Sequence, residues 1–219
     1  MKIKIMTFNI QHCKNYITKK IDYNSIINLI KKYNPDIVGL NEIYSFQLKK
    51  LCKYLDYNYY FGKSDNLILP YGNSILSKYD INNIKVIKIK DNNNFKYSEK
   101  RSILSCNVNI NNNLYNIYVT HLGLKENEKI NSINTLINNI NIDNSIILGD
   151  FNINSDSKLL DKFNNFIDST NKDLYTYPST NPKYKLDYIF VSKNIKVIKS
   201  YVLEEVISDH RAIITEINV

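Results

Sequence analysis

The sequence predicts an α/β protein in which two mostly antiparallel sheets pack face to face, with helices on the outside. Short β-like segments alternate with amphipathic segments from one end of the chain to the other, as in layered α/β proteins. The middle is rich in strands separated by Asn-rich turns, and the alternation of helix and strand returns in the second half. Because the chain has 219 residues and no Pro-, Ser- or Gly-rich linker, we expect a single domain over residues 1–219.

The first half opens with a predicted strand, KIKIMTF, and an amphipathic helix. In IDYNSIINLIKKY the apolar residues recur at helical spacing, and Asp22 or Asn24 is a candidate N-cap. The strand DIVGLNEI follows directly. A second helix is predicted from Ser45 through Tyr54, because its apolar residues form one stripe.

Strands then dominate until the second half repeats the alternation. The predicted strands are NYYFG, GNSILSK, NIKVIKIK, RSILSCNVNI and LYNIYVTH, with turns such as DNNN and NNN between them. After them we predict a helix over Glu126–Ile140, the strand SIILGD and a helix near Lys158–Phe166. The last predicted strands are LDYIFVS, IKVIKSYVL and RAIITEINV.

Composition excludes several classes of protein. No segment is long and apolar enough to cross a bilayer, and the N-terminus alternates apolar and polar residues, unlike a signal peptide. The three scattered cysteines suggest neither a disulfide framework nor a zinc site, which favours a reducing, cytoplasmic location. The net charge of +8 favours encounter with polyanions, although a base-biased genome explains the Lys- and Asn-rich composition equally well.

Polar residues with catalytic or metal-binding chemistry follow the predicted strands. Side chains at strand ends project from a rigid sheet into a shared cleft. The candidates are Asn9, Glu42, His121, Asp150, Asn152, Asp187, Asp209 and His210. Mg²⁺ or Mn²⁺ prefers carboxylate and carbonyl oxygens, so we expect Glu42, Asp209 and Asn9 to be its ligands. Taken alone, each candidate also suits a surface or turn position.

In their order, these segments resemble the endonuclease/exonuclease/phosphatase, or DNase I-like, superfamily. The matching segments are TFNIQH, GLNEI, YGNSILSK, YVTHLG, ILGDFN, LDYIFVS and ISDHRAI, and they extend over nearly the whole chain. Singly, GDFN or SDH is a weak match, but the ordered set is specific. The resemblance implies a four-layered α/β sandwich, with two mostly antiparallel mixed sheets packed face to face and the site at their mouth.

The resemblance also implies roles in a hydrolysis that proceeds by in-line attack of water on phosphorus. His210 would be a general base or a phosphate-stabilising imidazole, with Asp187 fixing its tautomer. His121 would face the other side of the phosphate, as leaving-group acid or oxyanion donor. Asp150 and Asn152 would orient the water, bind a second metal or contact a phosphate oxygen.

Three further residues are candidate substrate contacts. Arg101 stands where family members often place a phosphate-facing arginine, although a surface ion pair with Glu99 explains it equally well. Asn73 either lines the cleft or serves only its turn and strand. Tyr177 belongs to TYPSTNPKYK, a stiff, aromatic and basic loop that could select the substrate. The remaining histidine, His12, fits a structural or solvated role better than a substrate contact.

Two departures from the family pattern bear on function. The chain has no Trp, which disfavours the apurinic-site endonucleases, and only Asp65 or Asp80 stands near the place where DNase-like members buttress the His121 position with glutamate. We therefore expect a monomeric Mg²⁺- or Mn²⁺-dependent phosphoesterase that is not inserted in a membrane. Nucleic acid and small phosphodiesters are the leading substrates, a lipid headgroup ranks third, and a non-catalytic binding module is the remaining alternative.

Overall fold

The computed structural model describes residues 1–65, 68–89 and 99–219, which form strands, three α-helices and two short 3-10 helices. The strands are β1 (Lys2–Asn9), β2 (Ile37–Tyr44), β3 (Asn58–Lys63), β4 (Tyr71–Ser77), β5 (Ile81–Lys88), β6 (Ser102–Ile110), β7 (Asn113–His121), β8 (Ser145–Asp150), β9 (Phe166–Asp168), β10 (Asp187–Ser192), β11 (Lys196–Val202) and β12 (Ile213–Asn218). The α-helices are α1 (Tyr23–Tyr33), α2 (Ser45–Cys52) and α3 (Glu126–Ile137), and the 3-10 helices are Gln11–Cys13 and Lys158–Phe163.

The strands form two six-stranded mixed sheets, which confirms the predicted fold class. The first sheet has the order β11-β12-β1-β2-β4-β3 and the second has the order β5-β6-β7-β8-β10-β9. Each sheet contains one parallel pair, β1 with β2 and β7 with β8, and its other pairs are antiparallel. The parallel pairs matter for the site because they bring two strand ends to the same edge.

Three apolar cores separate the four layers. One core lies between the sheets and combines residues such as Ile5 of β1 with Leu148 of β8. A second joins the first sheet to α1 and α2, and a third joins the other sheet to α3 and the 3-10 helix at Lys158–Phe163. The sheets approach closely at Gly39, where an added Cβ would lie 2.7 Å from Leu148 Cδ1. A larger residue there would require the Leu148 side chain to shift.

Helix α1 shows how local sequence sets the element boundaries. The Asp22 side chain caps its N-terminus by accepting a hydrogen bond from Ser25 N at 3.0 Å, as one of the two candidate caps predicted. Asn34 ends the helix in the left-handed conformation, with φ 48°. An amphipathic segment capped at both ends in this way buries its apolar face on the first sheet.

Some element boundaries differ from the prediction. The helix predicted near Lys158–Phe166 is a 3-10 helix that ends at Phe163, and Phe166 begins the short strand β9, which pairs with β10. A three-residue strand has no periodicity to detect, so only its sheet partner reveals it. The predicted turn DNNN, at positions 91–94, lies outside the described residues. Within the part of the chain that the structure describes, no helix has the length and apolar character needed to cross a membrane.

Candidate active site

The site is assembled where the parallel strand pairs of the two sheets end. In the first sheet Asn9 is the register partner of Asn41, and in the second His121 is the partner of Asp150. Asp187, the first residue of β10, pairs with Asp150 from the other side. Strand ends in register therefore bring together residues that lie far apart in sequence.

Asn41 connects the two sheets beneath this cluster. Its side-chain Nδ2 donates to Asn73 Oδ1 at 2.8 Å and to the Thr120 carbonyl at 2.9 Å. Its Oδ1 accepts a hydrogen bond from Asp150 N at 3.0 Å. Sequence reasoning missed Asn41, and the available signal was its place beside Glu42 in GLNEI. Because Asn41 is fully buried, this network fixes the backbone of Asp150 relative to β2.

Asn73, predicted as a substrate contact, is buried in the same network. Its Nδ2 donates to the Ser102 carbonyl at 2.9 Å, and its Oδ1 accepts from Asn41. The amide thus has protein partners at both ends, and its contact with substrate stays a prediction.

Asp150 is the centre of the cluster. Its Oδ2 accepts a hydrogen bond from Asn9 Nδ2 at 2.9 Å and lies 3.5 Å from His121 Nε2 and 3.6 Å from His210 Nε2. Its Oδ1 accepts from Asn152 N at 2.9 Å, in a turn where Asn152 has a left-handed φ of 52°. Burial raises the pKa of Asp150 to about 6, against the lowering effect of His210.

His210 is paired with Asp187. Its Nδ1 lies 2.8 Å from Asp187 Oδ2, so the proton on Nδ1 is directed to the carboxylate and Nε2 faces Asp150. Burial alone would lower the pKa of His210, but the carboxylates of Asp187 and Asp150 raise it to about 10. The imidazole is therefore a cation at neutral pH. The Tyr177 ring packs against it at a centroid distance of 4.9 Å, so the predicted aromatic loop does reach the site.

His121 has the opposite environment. Its Nδ1 lies 2.9 Å from Arg101 Nη1, and because a guanidinium only donates, Nδ1 is the acceptor. Burial, with Arg101 next in importance, holds the pKa of His121 well below its usual value. His121 is therefore neutral and carries its proton on Nε2, which faces Asp150. In DNase-like members the resemblance led us to look for a glutamate beside this histidine, and in this structure Arg101 lies there instead.

Arg101 itself is held by two more groups. Its Nη2 pairs with Glu99 Oε2 at 2.7 Å, and its Nη1 donates to Tyr71 Oη at 3.4 Å. The ion pair with Glu99 was one of the two alternatives for Arg101, but the arginine side chain is only 7% exposed while that of Glu99 is 62% exposed. Arg101 is thus a buried cation next to a histidine, and its predicted contact with phosphate stays a prediction.

The three predicted metal ligands lie around the same centre. Asn9 Nδ2 donates hydrogen bonds to both Asp150 and Glu42, and its distance to Glu42 Oε1 is 3.0 Å. Asp209 accepts from Gln11 Nε2 at 3.0 Å, and Gln11 is a second residue that sequence reasoning missed. Burial raises the pKa of Glu42 to about 7, helped by Asp150 and Asp209 and opposed by the hydrogen bond from Asn9.

A hard divalent cation fits these residues. In one, oxygen-rich arrangement, Glu42 shares the Asn9 amide with Asp150 and lies near enough to Asp209 for that carboxylate to raise its pKa, so a cation would relieve the cost of burying Glu42 ionised. Asp150, Asp187 and His210 form a second arrangement, and among the described residues theirs are the potential ligand atoms found within 4.8 Å of one another. Asp187 and His210 are already hydrogen bonded to each other, as an orienting pair would be, so we favour the oxygen-rich arrangement.

A strained turn carries His12 to the edge of the site. Gln11, His12 and Cys13 all have positive φ, between 44° and 59°, which costs energy in non-glycine residues. The turn places His12 Nε2 3.6 Å from Glu42 Oε2, and the imidazole stacks on Tyr44 at a centroid distance of 4.8 Å. From the sequence we expected His12 to have a structural or solvated role, but the structure places it beside Glu42, at the edge of the site.

Comparison with known proteins gives a consistent result. Residues 6–210 match the sequence profile of the Endonuclease/Exonuclease/phosphatase family. A mannosyl-6-phosphatase from Bacteroides thetaiotaomicron superposes with a TM-score of 0.86 at 17% identity, over 99% of this chain and 100% of that one. An endonuclease/exonuclease/phosphatase family protein from Leptotrichia buccalis superposes with a TM-score of 0.78 at 22% identity, over 99% of this chain and 100% of that one. A truncated TDP2 from Caenorhabditis elegans superposes with a TM-score of 0.77 at 18% identity, over 100% of this chain and 98% of that one. No curated protein matches in the sequence search.

Proposed function

Because this chain belongs to the endonuclease/exonuclease/phosphatase family, whose members are generally phosphoesterase hydrolases, we propose that it hydrolyses phosphodiester or phosphomonoester bonds with a divalent cation. One observation carries the proposal: Asp150 Oδ2 lies 3.5 Å from His121 Nε2 and 3.6 Å from His210 Nε2, with Asn9 donating to the same oxygen. Two imidazoles that converge on a buried carboxylate suit phosphoryl transfer, where charge and protons are managed on several oxygens at once.

The cation would be Mg²⁺ or Mn²⁺, held by Glu42, Asp209 and the Asn9 amide oxygen. When bound, it would neutralise charge on the phosphate and orient it. Oxygen ligands favour these ions over zinc, which prefers histidine and cysteine.

His210 is proposed to hold one face of the phosphate. Its high pKa keeps it protonated, so the Nε2–H can donate to a non-bridging oxygen that becomes more negative in the transition state. Asp187 keeps the ring oriented through Nδ1. Of the two roles left open for His210, this environment supports phosphate stabilisation and not proton abstraction.

His121 is proposed to donate a hydrogen bond from the other side. A neutral imidazole with a low pKa is a poor general acid. It can still donate a hydrogen bond from Nε2, because Arg101 occupies Nδ1 and holds the proton on Nε2. Of the roles expected for His121, the environment supports an oxyanion donor over a leaving-group acid.

Asp150 is proposed to accept the proton of the attacking water. A pKa of about 6 leaves it largely ionised at neutral pH yet basic enough to take a proton, the balance that suits a general base. Asn152, whose backbone N donates to Asp150 Oδ1 at 2.9 Å, holds the carboxylate in position.

The substrate is the least constrained part of the proposal. One structurally similar protein is named a mannosyl-6-phosphatase, which keeps a sugar phosphate among the candidates. The net charge of +8 supports a polyanion such as nucleic acid. A small phosphodiester ranks with nucleic acid, and a lipid headgroup ranks lower because we found no long apolar hairpin in the sequence to meet a membrane.

A substrate panel tests the proposal. Single- and double-stranded nucleic acids, dinucleotides, sugar phosphates, phospholipids and a chromogenic phosphodiester are assayed with Mg²⁺, with Mn²⁺ and with a chelator. We expect cation-dependent release of product from at least one class, and loss of that activity in His210→Ala. If no ester is cleaved under any condition, the chain is a binding module that has kept the fold.

A further inference from the structure

A ladder of aromatic rings leads outward from the site. His12, whose Nε2 lies 3.6 Å from Glu42, stacks on Tyr44 with an interplanar angle of 25°. Tyr44 in turn stacks on Phe46 at a centroid distance of 5.8 Å and 13° between planes. Tyr71 closes the inner side of the ladder with tilted contacts to His12 and Tyr44. We call these four rings the aromatic ladder.

The aromatic ladder is held in place from below. The buried Gln47 accepts from Tyr44 N at 3.1 Å through Oε1 and donates to the His12 carbonyl at 2.6 Å through Nε2. Tyr71 also accepts from Arg101, which positions His121. The rings are therefore fixed relative to the reacting centre, and little conformational entropy would be lost when a ligand packs on them.

The outer end of the ladder is open. Phe46 is 48% exposed at the first turn of α2, although its ring lies parallel to another aromatic ring. Scattered surface aromatics are common, but an ordered stack that runs from a carboxylate of the site to solvent is the arrangement on which planar groups pack. The net charge of +8 favours encounter with an anionic ligand.

We propose that the aromatic ladder is a subsite for a nucleobase, so that the ester cleaved is that of a nucleotide or nucleic acid. In such a ligand a planar base is joined to the phosphate through one sugar, which matches a ring platform beside a phosphate site. Base–aromatic stacking tolerates any base because every base has a π-face. The inference rests on the proposed function, since it assumes that phosphate binds near Glu42 and Asp150.

Binding measurements without turnover test this subsite. Calorimetric dissociation constants for adenosine 5′-monophosphate and ribose 5-phosphate, measured with Mg²⁺, isolate the contribution of the base. We expect the wild-type protein to bind the nucleotide about tenfold more tightly and Phe46→Ala to lose most of that preference. Phe46→Trp, which keeps a planar ring, should retain it. Tyr59, a 44% exposed residue of β3, lies opposite Leu76, at the end of β4 far from Tyr71. It gives the matched control Tyr59→Ala, which should leave the preference unchanged.

Three results would overturn the inference: equal binding of the two ligands by the wild-type protein, no binding of either, or full preference in a folded Phe46→Ala. Thermal unfolding checks folding, and the Trp variant separates loss of the ring from loss of structure. Because the assay needs no catalysis, base-dependent binding without hydrolysis of any ester would reject the proposed function and leave the subsite intact.

Discussion

His121 and His210 direct their Nε2 atoms at the same oxygen, Asp150 Oδ2, from 3.5 and 3.6 Å, yet their pKa values are shifted in opposite directions. The difference comes from the second nitrogen of each ring. Arg101 occupies Nδ1 of His121, and Asp187 occupies Nδ1 of His210. Two identical side chains thereby become a neutral donor and a cation at one site.

Asp187→Asn tests the cationic state of His210. The carboxylate of Asp187 is the main group that raises the pKa of His210 to about 10, so its removal should lower that pKa. If protonated His210 is required, activity falls as pH rises through this pKa, and the variant's alkaline limb should move to lower pH. pH–rate profiles and an NMR titration of the imidazole measure both. An unchanged limb with a lowered pKa would exclude His210 as the required cation.

Replacing His210 with Ala removes the donor itself. We expect kcat to fall by about a hundredfold or more, the usual cost of losing a positioned proton-transfer or charge-stabilising group. His12→Ala is the comparison variant: His12 belongs to the aromatic ladder and has no proposed role in proton transfer, so its loss should raise KM more than it lowers kcat. Equal losses in the two variants would contradict the assignment.

Glu42→Gln tests the cation site. Removing one carboxylate should weaken Mn²⁺ binding by at least about tenfold and reduce activity, as measured by calorimetry and steady-state kinetics. The pH dependence of the free energy of unfolding shows whether the variant is still folded, so that weaker Mn²⁺ binding is not confused with misfolding. Because the pKa of Glu42 is raised to about 7, ionisation destabilises the metal-free fold progressively from the unfolded pKa of about 4.5 upward. The metal-free variant should therefore be as stable as wild type at pH 4 and more stable at pH 8. Unchanged Mn²⁺ affinity would reject the ligand role.

Arg101→Met tests how His121 is held. Without the guanidinium, burial still lowers the pKa of His121, but the proton is free to occupy either nitrogen, so we expect kcat/KM to drop about tenfold or more. Glu99→Gln is the matched control, because it removes only the exposed partner of Arg101. The Glu99 side chain is 62% exposed, so water can take its place beside Arg101, and this variant should retain wild-type kinetics. If both variants behave alike, the arginine does not act through His121.

Asn41→Ala tests the bridge between the sheets. The change leaves the Asp150 N–H, the Thr120 carbonyl and Asn73 without their buried partner, and we expect a loss of roughly 2–3 kcal/mol in the free energy of unfolding. Urea denaturation measures it. Asn58→Ala, which removes an exposed amide contact to the Tyr79 carbonyl, should cost less than about 0.5 kcal/mol. Comparable losses would mean that the buried network contributes no more than a surface contact.

The overall fold could be predicted, as could the polar residues that the structure brings together at the strand ends, because both depend on features visible along the chain. Alternating hydrophobicity located the strands, and the polar residues at their ends marked the cleft. The ring partners could not be predicted. Arg101 immediately precedes β6 and His121 ends β7, and only the antiparallel pairing of these strands brings Nη1 to Nδ1. Asn41 was missed because a buried Asn looks like any other in an Asn-rich sequence. The left-handed turn at Gln11 was missed because no glycine marks it.

The pairing of β1 with β12 sets an order of events during synthesis. β1 is made before the other strands of the two sheets, but its place in the sheet lies between β2 and a strand made from residues 213–218, with Lys2 opposite Asn218. Contacts this distant in sequence form late, because the intervening chain must first be closed into a loop. Asn9 and His210, which flank Asp150, are therefore brought together only after nearly all of this chain has been translated. A nascent chain that stalls before β12 would carry the residues of the candidate site without the completed sheet that brings them together.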